Sequence, residues 1–261
     1  MTINTNNPEF GYELISVVPY AYYHHLRGEK VKVITGYDME PFYYFCQTEY
    51  NQKQRGDRLP PTPNAEIHKP ALDLAEFAPP PYKTIYTGKY DFDVVICNRY
   101  NNEWTYHEEL NKPINYFSPE LLFMMFALLS RRKVAYLNID TAGERYYDNA
   151  PPLQMDDRKL CQRFANVTHI ADIATKESFN TTQLQVMAGA KLFITLNGGY
   201  AIMASYFGGR NIIYTNPVEI DGEIFPAENQ FGDFGYYHHF GGSEIINVTS
   251  EKDLLTKIIQ S

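Results

Sequence analysis

From residue 93 to residue 260, short β-branched runs alternate with stretches of helical period, and this alternation constrains the fold more than any other feature. Strands are predicted at residues 93–98 (DVVICN), 134–138, 167–170, 192–196 (LFITL), 211–214 and 245–248. Helices are predicted between and after them, at 118–131, 156–164, 180–188, 199–207 and 250–260. Ser118 supplies an N-cap and Pro119 a first helical position with no N–H to waste. Strands and helices alternating at this spacing build a parallel sheet whose two faces are both covered.

The first ninety residues are less regular. A helix is predicted over 11–27, with Leu14, Val17, Val18, Ala21 and Tyr22 on one broad face and Pro19 early in it or kinking it. Residues 31–35 (VKVIT) read as a strand and 37–46 as a short helix or turn, while no strand signature precedes Gly11. Residues 51–82 carry seven prolines and almost no periodicity, the mark of a long loop or arm. The fold class expected is α/β, with two Rossmann-like domains, parallel sheets and helices on both faces. A small domain spans 1–90 and a larger one 91–261, whose terminal helix 250–260 is expected to pack back across the interface.

Net charge is −8, and no run of five basic residues occurs, so a nucleic-acid partner is not expected. Three scattered cysteines without a CxxC point to neither a zinc site nor a disulfide framework. No apolar stretch reaches the roughly 18 residues of a membrane span. The polar first ten residues do not resemble a signal peptide, so a cytoplasmic location is expected. Aromatic residues make up 15%, with 22 tyrosines, which suits stacking on sugars or bases and equally fits compositional drift. The P-loop, H-E-x-x-H and G-x-S-x-G patterns are all missing, and no G-x-G-x-x-G follows the first strand of the larger domain. A D-x-D pair occurs at Asp91 and Asp93, but it leads into a strand rather than ending one and reads as a strand flank.

The sharpest segment is Asn197-Gly198-Gly199-Tyr200, where a strand turns straight into a helix bearing Ala201, Ala204 and Ser205. Glycines there permit positive φ and close approach, and exposed N–H groups favour an anion such as a pyrophosphate. A tight turn with no ligand is the alternative. In parallel sheets ligands sit beyond the C-terminal strand ends. Asn98 and Arg99, with Glu103 and Trp104 close by, follow one strand in that relation, and Arg99 has the planar fork that matches phosphate oxygens. Asn138, Asp140 and Thr141 follow the next strand, with Arg145 near. Asn180 or Gln183 can face a base or ribose, although a plain N-cap suits Asn180 better. The acidic stretch 219–228 reads as a solvated loop, and His238-His239 as a loop able to line a cleft.

The strand, glycine turn, A-x-x-A helix, glycine and strand over residues 192–214 resemble the donor-site segment of GT-B glycosyltransferases such as the bacterial heptosyltransferases. Gly11-Tyr12-Glu13 followed by Pro19 resembles the opening of the same enzymes, Gly-x-Asp/Glu and then a proline. The whole chain is also similar to compact glycosyltransferases of giant viruses and bacterial polysaccharide loci. About half of the chain has motif-level support, and the short N-terminal domain is a departure. The resemblance implies transfer of a sugar from a nucleotide-sugar donor to a carbohydrate or other hydroxyl acceptor, inverting and without a metal or other cofactor. It makes Glu13 the catalytic base and places donor phosphates at Asn197, Gly198, Gly199 and Tyr200, with Asn98, Arg99 and Asn138 on the donor side. A base must take the acceptor's proton as its oxygen attacks the anomeric carbon. A first-turn glutamate also simply complements a helix dipole, and His24 or His25 are other bases. An epimerase or hydrolase on the same fold, and a non-catalytic nucleotide or glycan binder, are the alternative activities.

Overall fold

The computed structural model describes residues 1–5, 10–36, 38–50, 76–98, 116–138, 155–175, 178–215, 218–220, 223–225 and 236–261. In chain order the N-terminal elements are β1 (Thr2–Asn4), helix α1 (residues 10–26), β2 (Lys32–Thr35), a 3-10 turn at Glu40–Tyr43, β3 (Gln47–Tyr50) and α2 (Tyr82–Tyr86). There follow β4 (Val94–Asn98), α3 (Pro119–Leu128), β5 (Val134–Asn138), α4 (Asp157–Cys161), β6 (Val167–His169), α5 (Phe179–Gly189) and β7 (Leu192–Leu196). The chain ends with α6 (Gly199–Ser205), β8 (Arg210–Tyr214), a hairpin β9 (Val218–Ile220) and β10 (Glu223–Phe225), α7 (Tyr236–Gly241), β11 (Glu244–Val248) and α8 (Glu251–Ile259).

Strands β1, β2 and β3 form one parallel sheet, and a second parallel sheet of six strands runs β6-β5-β4-β7-β8-β11. Counted from β4, that order is 3-2-1-4-5-6, the doubly wound arrangement of dinucleotide-binding sheets. Side chains alternate across the large sheet. Val94, Ile96, Val134, Tyr136, Leu192 and Ile194 face α3 and α8, meeting Leu121, Leu122, Met125, Phe126, Leu254 and Ile258. Val95, Cys97, Ala135, Leu137 and Phe193 face the other way and share a core with α5, α6 and the N-terminal elements. Leu14, Val17, Val18, Val33, Phe42 and Tyr43 belong to that same core.

Three expectations are corrected here. The terminal helix does not cross to the N-terminal elements; α8 packs beside α3 on the far face of the large sheet. A strand does precede Gly11, since β1 pairs with β2. Asn180 is not an N-cap but lies inside α5, where its backbone N–H donates to Asp38 Oδ2 at 3.0 Å and its carboxamide donates to the Asp38 carbonyl. The cap of α5 is thus a carboxylate from the N-terminal half, on a residue held at φ 60°. Asp tolerates that left-handed conformation better than most residues.

Proline at 19 does not break α1. The turn Glu13–Val17 is π-helical, with Val18 N–H bonding to the Glu13 carbonyl. Such wide turns accommodate a local irregularity without ending a helix, and Pro19 follows directly.

Candidate functional site

Strands β4 and β7 are neighbours whose chains leave towards opposite faces, β4 leading to α3 and β7 to α6. A crevice therefore opens beyond their C-terminal ends, the usual ligand position in such a sheet. Asn197, Gly198, Gly199 and Tyr200 line this end of β7.

Gly198 holds φ 128° and ψ −155°, a region essentially reserved for glycine, and a Cβ there would meet nothing within 4 Å among the described residues. Among the described residues, backbone conformation rather than crowding demands the glycine. Gly199 is the reverse case. Its Cβ would lie 3.0 Å from Phe10 Cδ1 and 3.5 Å from the Gly11 nitrogen, and a Cβ on Gly11 would lie 3.5 Å from the Gly199 Cα. The two glycines pack backbone on backbone, bringing the first turn of α1 against the first turn of α6. The Tyr206 hydroxyl reinforces the contact by donating to the Leu14 carbonyl at 2.6 Å. Asn197 is buried, donates its N–H to the Tyr214 carbonyl at 3.2 Å and accepts the Tyr237 hydroxyl at 2.8 Å. Tyr200 is 8% exposed at the start of α6.

Glu13 is fully buried, and its Oε1 accepts from Thr35 Oγ1 at 2.5 Å and from the Tyr43 hydroxyl at 2.9 Å. Burial, seconded by the Glu13 carboxylate, pushes the Tyr43 phenol well above its usual range, so it stays a donor. The resemblance makes this carboxylate a catalytic base, which would have to reach an acceptor hydroxyl. Instead it ties α1 to β2 and to the 3-10 turn, while the backbone of Gly11 faces the glycine turn.

Asn98 and Asn138 do end their strands at the C-terminal edge, but their side chains share the face of Ile96 and Tyr136. Asn98 Nδ2 donates to the Phe117 carbonyl at 3.1 Å and to the Tyr136 hydroxyl at 3.0 Å, and Oδ1 accepts the Phe117 N–H at 2.9 Å. That clamp returns the chain to α3. Asn138 Nδ2 donates to Asp157 Oδ2 at 2.9 Å, and Asp157 Oδ1 lies 3.9 Å from His169 Nε2. His169 Nδ1 accepts the Ala171 N–H at 3.1 Å. Arg99, with Glu103, Trp104, Asp140, Thr141 and Arg145, lies outside the described residues. So do the side chains of the acidic stretch 219–228 and of His239, while His238 is exposed on α7.

Burial draws the His169 imidazole below its ordinary range, against the pull of Asp157. The unfolded chain then takes up this proton first as pH falls, so stability is full above about pH 6.5 and declines below it, by at most about 1.4 kcal/mol per pH unit. Urea unfolding at pH 7.5 and 5.5 checks this. His169→Asn, which keeps an acceptor for Ala171, is expected to flatten the acid limb.

At the opposite, N-terminal edge of the sheet, Asp91 Oδ2 pairs with Lys133 Nζ at 2.7 Å and Asp93 Oδ2 accepts the Lys133 N–H at 2.7 Å. The D-x-D pair is a strand flank, far from the glycine turn. A groove of about 840 Å³ opens on this edge between Asp91, Arg131, Arg132, Lys191 and Arg210. Among the described residues no group of three or more His, Cys, Asp or Glu is placed to hold a metal ion, and no helix is long and apolar enough to cross a membrane.

No family model matches the chain, and no curated protein matches it in sequence. Among solved structures it is similar to the E. coli heptosyltransferase WaaC with ADP, at 10% identity, covering 84% of this chain and 88% of that one, with a TM-score of 0.44. It is also similar to TibC, a bacterial iron-containing dodecameric glycosyltransferase from enterotoxigenic E. coli H10407. There identity is 12%, coverage 99% of this chain and 76% of that one, and the TM-score 0.48. At that similarity the roles of individual residues do not transfer.

Tyr237, which donates to Asn197, and Thr35 and Tyr43, which donate to Glu13, were not singled out by the sequence. Each is brought in by tertiary packing, and none sits in a local pattern that marks it.

Proposed function

We propose that this chain transfers a sugar from a nucleoside-diphosphate donor to a hydroxyl of a glycan or another acceptor. The observation that carries the reading is the glycine turn at the switch point, with a glycine-only conformation at Gly198 whose Cβ direction no described residue crowds. The first N–H groups of a helix have no partner within it and suit phosphate oxygens. Those of Gly199 and Tyr200 would hold the diphosphate, with Asn197 kept in place by Tyr237. Arg99 would add a cation as charge develops on the leaving group, so no metal is required. Asn98 and Asn138 would shape the donor side through the loops they hold.

In this reading the acceptor oxygen attacks the anomeric carbon as its bond to the diphosphate oxygen breaks, inverting that centre. The acceptor's proton passes to a carboxylate. Glu13 is the candidate, on the condition that acceptor binding uncovers it from Thr35 and Tyr43. Its burial favours a second reading, a relative that binds nucleotide or glycan without turnover.

The test is a thermal-shift series with UDP, GDP, CMP, ADP and dTDP, each with and without EDTA, followed by transfer assays with the matching sugar conjugates. A ligand bound only by the folded state adds about 2.7 kcal/mol at a hundred times its Kd. A rise with one diphosphate that survives EDTA, followed by transfer, is expected. No rise with any of them sinks the donor site. A rise without transfer supports the second reading, and sugar released or altered with no acceptor present supports a hydrolase or epimerase.

A further inference from the structure

Phe10 is half-buried in the first turn of α1, directly against the glycine turn. Its ring meets Phe42 with centroids 5.4 Å apart and planes at 72°, and its Cδ1 edge is the atom that a Cβ on Gly199 would approach to 3.0 Å. That approach depends on the two facing glycines, since a Cβ on Gly11 would lie 3.1 Å from Ile202 Cδ1 and 3.5 Å from the Gly199 Cα. The glycines therefore do more than bring two helices together. They hold a large aromatic ring, part of it in solvent, beside the residue whose N–H is proposed to take a phosphate oxygen.

Whatever is bonded to a phosphate at Gly199 lies next to that ring. A nucleotide-sugar carries two groups on its diphosphate, the nucleoside and the sugar. Doubly wound sheets hold the nucleoside, and here that sheet is the six-stranded one. Phe10 comes from the N-terminal elements on the other side of the turn, so the group that reaches it is the sugar. A sugar ring presents C–H groups of slight positive charge on its faces, and the face of an aromatic ring carries slight negative charge. The two attract beyond what their shared apolar area gives.

We propose that Phe10 is the platform on which the transferred sugar stacks, and so a residue that sets sugar preference. This rests on the donor site proposed above. The two ends of the donor are then held by different means. Backbone N–H groups at Gly199 and Tyr200 bind the diphosphate whatever sugar it carries, while Phe10 fixes the plane of the sugar and adds nothing to the bare diphosphate.

Titration calorimetry with UDP and UDP-glucose, GDP and GDP-mannose, ADP and ADP-glucose, and dTDP and dTDP-glucose separates these contributions. The native protein is expected to bind one conjugate more tightly than its own diphosphate. Phe10→Leu keeps apolar bulk against Phe42 and Gly199 but has no aromatic face. It should weaken that conjugate about tenfold and leave the diphosphate within about twofold. Phe10→Tyr, which keeps the ring, should bind both as the native protein does. Equal loss of conjugate and diphosphate in Phe10→Leu overturns the proposal, because the ring then serves packing or the nucleoside. Undiminished conjugate binding by Phe10→Leu overturns it as well, as does a native protein for which no conjugate exceeds its diphosphate. Each of these leaves the donor site standing. A native protein that binds none of the diphosphates removes the donor site itself, and the platform with it.

Discussion

Glu13→Gln is expected to lower sugar transfer by about 10²–10⁴-fold while donor affinity holds, the range for loss of a general base. Glutamine keeps the shape of the side chain and an Oε1 acceptor for Thr35 and Tyr43, so it removes basicity and leaves the tie between α1 and β2 in place. Glu13→Ala is different. It strands two buried hydroxyls, at about 1–3 kcal/mol for each unsatisfied group, and opens a cavity beside α1. Turnover per folded molecule, read beside urea midpoints, separates the roles. If the glutamine variant transfers sugar at the native rate while the alanine variant loses stability, Glu13 is a structural tie and not the base. The inverting mechanism then loses its only assigned proton acceptor.

The centre of the large sheet was legible because its inner strands are largely apolar runs closed by turns, and a parallel sheet buries such runs on both faces. Strands β4, β5 and β7 are buried throughout. Of the N-terminal strands, β2 carries a β-branched run, but β1 and β3 lack that signal. In β1 only Ile3 is buried, and β3 buries none of its four residues because it lies at a sheet edge. The position of α8 was not legible for another reason. Its single apolar stripe, Leu254 and Ile258, states that it packs on something but not on what.

In the site, the glycine turn could be read because few residues other than glycine can hold φ 128°. The direction of Asn98 was within reach of the sequence as well. Counting by twos from Val94 and Ile96 puts its side chain on the α3 face, where Phe117 and Tyr136 take it up. The meeting of Gly11 with Gly199, and of Glu13 with Thr35 and Tyr43, had no such route. Those contacts join residues far apart in the chain through the shared core between the two sheets.

Substitution at Gly199 is expected to produce the largest change in donor binding, provided its steric and electrostatic parts are separated. A methyl group at this position meets Phe10 Cδ1 at 3.0 Å, a side-chain atom able to yield, and the Gly11 backbone only at 3.5 Å. Gly199→Ala should therefore cost about 1–3 kcal/mol of stability as Phe10 repacks, with donor binding weakened but measurable. Gly199→Asp imposes the same crowding and adds a carboxylate at the proposed phosphate site. Two like charges about 4 Å apart repel by about 4 kcal/mol at an effective dielectric of 20, so binding of the matching diphosphate should fall below detection. The comparison that decides is the ratio of diphosphate affinities between the two variants, both confirmed as folded by near-UV circular dichroism. A ratio well above tenfold supports phosphate at this turn. Equal weakening by alanine and aspartate would mean that the glycine serves only the packing of α1 on α6, and the donor would have to lie elsewhere in the crevice.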